Sequence, residues 1–266
     1  MSAQKAARRG ELRHVIIDEA QDFERDWLEY LRYRFRDGAF YAFYDRHQAI
    51  QNEKDSSWLN DIPCRLVLTR NCRNTDEIAK VSHRVAGIPA PPTLGAAGPR
   101  PTLHVVTDQV AAAAVVDKLV GRACEHYKVA PEDIAVLSLE TLAEDGPWSA
   151  ARIGGQRTCD KPKRDHVTAT TVRRFKGLEA KLVVVVDVDL AKAVDEEWRC
   201  RLYVACSRAR QAVHMVTSTT EAELMAPIRA FAGSEKARAN WRSLARHLGI
   251  RMGGESIDPF DEQKAG

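Results

Sequence analysis

The chain lacks a CxxC pair: Cys64, Cys72, Cys124, Cys159, Cys200 and Cys206 stand apart. Their scatter argues against a zinc ribbon and against a disulfide framework, and fits a reduced, cytoplasmic setting. No apolar run approaches the roughly 20 residues that cross a bilayer, so no membrane partner is expected. The opening MSAQKAARRG has charge but no apolar segment behind it, which is not the pattern of a secretory leader. Nor is there a large excess of one charge: 40 Lys and Arg against 37 Asp and Glu leave a net charge of +3, too little to establish a polyanionic partner. What remains is an ordinary globular composition, 44% hydrophobic and 29% charged over 266 residues, enough for one large domain or two small ones. The basic residues are clustered, first Lys161, Lys163 and Arg164, then Arg173, Arg174 and Lys176, then Arg199, Arg201, Arg208 and Arg210.

One stretch organises the rest. In HVIIDEAQD, residues 14–22, a short β-branched run (Val15, Ile16, Ile17) ends abruptly in Asp18 and Glu19. Such a run suits a buried strand. Carboxylates at the C-terminal end of a strand sit where open α/β sheets hold ligands, where one can bind Mg2+ and the other polarise a water for attack on a phosphate. The plainer reading is an acidic turn that caps the next helix. Downstream, Phe23, Trp27, Leu28, Leu31 and Phe35 recur at helical spacing, with Asp22 as a candidate cap and Gly38 as the stop. Ala39–Tyr44 reads as a second buried strand leading to Gln48 in a polar loop. Trp58 can stack on a base or fill the core.

A third strand is expected over Cys64–Thr69, then an arginine-rich entry with Arg73 and a helix whose start, Asn74 followed by Glu77, has capping-box spacing. The Pro- and Gly-rich stretch 87–101 reads as a linker. A strand at 103–106, a helix at about 108–127 and a strand at 134–138 make a βαβ unit and imply a parallel sheet. Residues 139–165 read as a flexible loop. Strands follow at 166–171 and at 182–188 (LVVVVDV), the latter apolar enough to be buried on both faces. A helix over Trp198–Arg210 and a strand over Ala212–Thr217 close the pattern, leaving an Arg-rich, mostly helical tail whose last dozen residues look disordered.

Taken together, these motifs resemble the UvrD/Rep-type superfamily 1 helicases, in the part of the motor that follows the first ATP-binding motif. HVIIDEAQD is similar to motif II (the Walker B box), FYDRHQAI to motif III, LTRNCRN to motif IV, TTVRRFKGLEA to motif V and LYVACSRAR to motif VI, in family order across residues 14–210. The resemblance implies an α/β, RecA-like P-loop NTPase fold. Residues 1–62 would be the trailing part of a first motor domain, 63–220 a near-complete second domain with a parallel sheet, and 221–266 a helical tail. It implies ATP with Mg2+ as cofactors, bound between the motor domains, and single-stranded DNA, or alternatively RNA, as partner.

Carried over by residue, Asp18 would bind Mg2+, Glu19 would orient the hydrolytic water, and Gln48 would sense the γ-phosphate. Arg73 and Arg208 would stabilise charge on the transferring phosphate. Glu179 would hold the ribose, with Gly177 allowing close backbone approach, and Thr171, Arg173 and Lys176 would meet the nucleic-acid strand.

The departures from the family are specific. No GxxxxGK[ST] occurs, so the cradle for the β and γ phosphates is missing and a P-loop-bearing N-terminal segment or partner protein is expected to supply it. Tyr44 replaces the motif III glycine, Cys72 the common motif IV tyrosine and Arg173 the common motif V histidine. The spacing between motifs IV and V suits a compact family member. The function expected is the C-terminal portion of an ATP-dependent helicase or translocase that does not hydrolyse ATP alone and associates with a partner. The alternative is a non-catalytic module gripping nucleic acid or a partner. A third reading is a Mg2+-dependent nuclease using Asp18, Glu19 and Asp22.

Overall fold

Val15–Ile17 forms strand β1 and pairs in parallel with β2, Phe40–Ala42, with Val15 opposite Phe40 and Ile17 opposite Ala42. A computed structural model describes residues 13–45, 66, 70–94, 97–232, 238–254 and 258–260. The protein divides into two compact units, Met1–Val67 and Leu68–Gly266. In the first, β1 and β2 are joined by a one-turn 3-10 helix, Ala20–Asp22, and by helix α1, Arg25–Arg34. Ile17, Ala20 and Leu28 make the small core, with Phe23, Leu31 and Phe40 packed beside them.

Three expectations for this unit change. The helix begins at Arg25 with Glu24 at the cap position, so Asp22 belongs to the preceding turn and does not cap it. Gly38 does not end the helix, which stops at Arg34. A Cβ at Gly38 would overlap the carbonyl oxygen of Arg13, so this glycine is required by close backbone approach. And β1 is covered on one side only: Ile16 is 69% exposed, and its registered neighbour Tyr41 is 57% exposed. The strand expected over Cys64–Thr69, like Gln48 and Trp58, lies outside the described residues except for Leu66.

The second unit is built on an eight-stranded sheet in the order β10-β3-β9-β8-β4-β7-β6-β5. Its strands are β3 (Thr102–Val105), β4 (Ile134–Ser138), β5 (Arg152–Ile153), β6 (Gln156–Cys159), β7 (Val167–Thr171), β8 (Ala180–Val186), β9 (Ala209–Thr217) and β10 (Arg251–Met252). Every pairing is parallel except β5 with β6. The expected α/β class with a mostly parallel sheet is therefore present.

Its helices are α2 (Asp76–Ala86), α3 (Gln109–Glu125), α4 (Glu196–Ser207), α5 (Met225–Ala232) and α6 (Trp241–Leu248). Helix α3, capped by Asp108 accepting from the Ala111 N–H, packs Val116, Leu119 and Val120 against Val136, Val167, Leu182 and Val184. The alternate residues Val183 and Val185 are equally buried on the other face, where α4 lies on β8 and β9 and packs against α2. Strand β8 is thus buried on both faces, as its β-branched run requires.

Residues 139–165 are ordered rather than a flexible loop. Trp148 is buried, and β5 and β6 form a tight hairpin through Gly154 and Gly155, whose φ of +56° and +75° are the left-handed values that a two-residue turn demands. The Gly154 N–H donates to Asp117 on α3, and a Cβ there would collide with the backbone N of Gly121. Gly154→Ala is expected to cost about 3 kcal/mol through backbone strain and overpacking together. A urea midpoint indistinguishable from wild type would contradict that close docking.

The C-terminal segment is integral to this unit. Strand β10 extends the sheet beside β3, α6 buries Leu244 and Leu248, and Asp258 accepts from the Tyr127 hydroxyl at 2.6 Å. Residues 258–260 are thus tied down, contrary to the expectation of a disordered last dozen. Among the described residues no helix is long and apolar enough to cross a membrane.

Candidate functional site

In the first unit, the turn after β1 holds the paired acids. Asp18 is exposed at the strand's C-terminal end, and its Oδ1 accepts from the Glu19 N–H at 2.9 Å. Glu19 sits at φ +53°, an uncommon conformation for a residue with a side chain. It is held there by buried Gln21, whose amide donates to Glu19 Oε2 and whose Oε1 accepts from the Asp45 N–H at 3.1 Å. Gln21 thereby links Glu19 to the backbone that follows β2.

Such a pair fits Mg2+ in the manner in which that ion is usually held, by one or two carboxylates together with substrate phosphates. Among the described residues no group of three metal-ligating side chains is found.

In the second unit, the motif IV loop meets the ends of motifs V and VI. Asn71 shapes the loop: its Oδ1 accepts from the N–H groups of Arg73 (2.9 Å) and Asn74 (3.1 Å), a local turn that asparagine side chains favour. This presents Arg73 to solvent, where its Nε lies 3.1 Å from Glu179 Oε2. Arg210 approaches the other oxygen of Glu179 at 3.6 Å and also reaches Asp133 at 3.5 Å, which in turn pairs with Lys181 at 2.6 Å. Glu179 is therefore held between two guanidinium groups. With Arg73 and Glu179 each close to half exposed, their ion pair is worth little in stability and can exchange for a ligand.

Asn74 lies beneath this ladder. It is 4% exposed and donates through Nδ2 to the carbonyl of Ser207, at 2.9 Å, and to that of Ala209, while its Oδ1 accepts from Asn71. The capping-box expectation fails here: Thr75 is the N-cap of α2 and its hydroxyl accepts no hydrogen bond from the first turn, because Asn74 is turned inward to the end of α4. Arg208, flanked by the two carbonyls that Asn74 binds, is 1% exposed, with its Nε donating to the Val204 carbonyl at 3.3 Å. It is not presented to solvent as Arg73 is. Cys206 beside it is fully buried, and burial pushes its thiol up to about 12, which removes it from thiolate chemistry.

The loop after β7 carries the remaining candidates. Thr171 ends the strand and accepts from the Arg174 N–H, while Val172 and Phe175 are buried and pin the loop. Arg173 stands 3.4 Å from Glu197 on α4, Arg174 stands 3.7 Å from Asp160, and Lys176 is half-buried. Gly177 is exposed and has φ +80°, with open space where a Cβ would point.

The structure thus joins Arg73 to Glu179 directly, places Arg208 next to them in the backbone, and sets Thr171, Arg173, Lys176 and Gly177 on one loop. From the sequence Asn74 was read only as a helix cap and Arg210 only as a member of a basic cluster, and Asp133 was not singled out. The repeated asparagine of RNCRN was the one available signal.

Residues 166–216 match the family model of the UvrD-like helicase C-terminal domain, a span that contains β7, the motif V loop, β8, α4 and nearly all of β9. A solved structure similar to this protein is the C-terminal domain of a possible DNA helicase from Lactobacillus plantarum WCFS1, at 21% identity over 55% of this chain and 87% of that one, with a TM-score of 0.43. No curated protein matches the sequence. The second unit is a mostly parallel α/β domain whose residues 166–216 are similar to the UvrD-like helicase C-terminal domain, in agreement with the resemblance read from motifs V and VI.

Proposed function

We propose that the protein is the C-terminal portion of an ATP-dependent superfamily 1 DNA helicase or translocase. In this reading residues 63–220 are a RecA-like second motor domain and residues 1–62 the trailing part of a first. The observation that carries it is the meeting of Arg73 with Glu179 above the Asn74 junction, since three motifs far apart in sequence converge there on one exposed, charge-paired site. Bound ATP with Mg2+ would supply the phosphoanhydride to be cleaved and the cation that neutralises its charge. The Asp18 carboxylate would hold the cation and Glu19 would accept the proton of the attacking water. Arg73, released from Glu179, would face the phosphate, and Glu179 would turn to the ribose hydroxyls. Single-stranded DNA would lie along Thr171, Arg173 and Lys176. Because no GxxxxGK[ST] is present, hydrolysis requires a P-loop-bearing segment or partner.

The second reading, a non-catalytic module derived from such a motor, is favoured by the 1% exposure of Arg208. ATP hydrolysis with and without single-stranded DNA, in the presence of a P-loop-bearing segment, separates the two. The motor reading expects DNA-stimulated turnover that Glu19→Gln lowers by at least about a hundredfold, the scale of a lost acid–base group. DNA binding with no turnover under any addition supports the module.

A further inference from the structure

The edge hairpin β5–β6 carries an arrangement that the reading above does not use. Arg152 and Arg157 are directly opposite each other in its register, and both are exposed. Like charges placed opposite each other on one face of a strand pair are destabilising. Among the described residues no carboxylate pairs with either arginine, and their side chains make one polar contact, Arg152 donating to the carbonyl of Gly155 at 2.7 Å. The nearby acids are engaged elsewhere. Asp117 accepts from Gly154 N–H, Asp160 pairs with Arg174, and Glu132 accepts from the Asp165 N–H.

The hairpin is also firmly placed. Ile153, buried against the α3 core, and the closely docked Gly154 hold one face down, so the pair Arg152 and Arg157 occupies the face turned away from α3. Thr158, next to Arg157, registers with Val167, so Arg157 is level with His166 and about 16 Å along the strand direction from Thr171 at the usual rise per residue, Thr171 itself alternating onto the α3 face with Val167 and Ala169. The motif V loop beyond it reaches the other face, where Arg173 pairs with Glu197 of α4. Between Arg157 and that loop, Arg174 of the loop touches Asp160 at the end of β6.

We propose that this hairpin face is a phosphate-binding extension of the nucleic-acid track, with Arg152 and Arg157 gripping the backbone of single-stranded DNA that passes over the motif V loop. The proposal rests on the DNA-binding part of the reading above. Two guanidinium groups held side by side suit bridging phosphate oxygens, and an anion between them would relieve their repulsion. The contact is to the backbone, so it is sequence-independent and salt-sensitive.

The test uses the 266-residue protein and a fluorescently labelled oligo-dT strand, with binding followed by anisotropy across a NaCl series. Arg152→Gln with Arg157→Gln is compared with Lys176→Ala in the motif V loop. Each phosphate contact removed flattens the slope of log K against log salt by about 0.7 on a single strand, so the hairpin double variant is expected to flatten it by about 1.4 and to bind more weakly at low salt. Its urea midpoint should be equal to or above that of wild type, because a like-charge pair has been removed. This combination, weaker binding without lost stability, is not what a merely structural pair would give. An unchanged slope in the hairpin variant while Lys176→Ala flattens it overturns the proposal and leaves the motor reading standing. No dT binding by wild type removes the DNA part of that reading, and this proposal with it.

Discussion

Acidification from pH 7 to 4.5 is expected to strip the second unit of roughly 5 kcal/mol of stability through two histidines alone. His104 on β3 and His214 on β9 are buried and stacked, with ring centroids 5.2 Å apart, and the Nε2 of His104 lies 2.9 Å from the Nδ1 of His214. Since His214 Nε2 faces the Pro259 carbonyl at 3.1 Å and must donate to it, its Nδ1 is the acceptor, and both rings are neutral. Burial, then the neighbouring His214 and Arg251, lowers His104 from 6.5 to about 3. Burial also lowers His214 to about 4, with Arg251 adding to the effect and the Pro259 carbonyl and Asp258 opposing it. The unfolded state therefore takes up protons below pH 6.5 that the folded state refuses. Stability from this pair is complete above pH 6.5 and falls by about 1.4 kcal/mol per pH unit for each ring as pH drops toward the folded values. Urea midpoints followed by tryptophan fluorescence should show this slope, and a His104→Gln, His214→Gln double variant should be flatter whatever its absolute stability. Parallel profiles would rule out the histidines as its source.

Asn74→Ala is expected to cost about 3 kcal/mol, since it strands two buried carbonyls that each lose a hydrogen bond worth about 1–3 kcal/mol when left unmade. One of them, Ser207 O, is a helix-terminal carbonyl with no partner within its helix, so the Asn74 amide closes the end of α4 from 133 residues away in sequence. Asn74→Asp keeps the shape and loses the donor, and should be at least as damaging, because it also buries a charge. If either variant unfolds within about 1 kcal/mol of wild type, the junction contributes less than its geometry implies. The functional corollary is that the loop presenting Arg73 loses its anchor while Arg73 and Glu179 remain in place chemically.

Much of the second unit was legible because its signals are local. The β-branched run of β8, the alternation from strand to helix around α3, and the apolar stripe Ile78, Val81 and Val85 each state their element within a few residues. The motif V and VI loops were legible as resemblance. What escaped depends on partners distant in sequence. Asn74 looks like a helix cap until the end of α4 arrives beneath it, and β10, only 2 residues long, has no periodicity to display. The hairpin at 152–159 hid because Gly154 and Gly155 read equally well as flexibility or as a tight turn. Only the contact with Gly121 decides between them. In the first unit, the apolar run of β1 announced a strand, and the expectation that Val15–Ile17 would lack covering strands agrees with the exposure of Ile16.

The order of strands in the large sheet also sets a kinetic course. Strand β3 acquires its neighbour β9 only after about a hundred intervening residues have been gathered, and β4 lies between β8 and β7 rather than beside β3. Loop-closure entropy must be met before such pairings reward the polypeptide, so refolding should be slow and limited by the docking of β9. Until it docks, Leu182–Val186 is an open, uncharged, β-branched edge, the kind of segment that recruits its own copies. Refolding yield should therefore fall with protein concentration even where the native protein is stable.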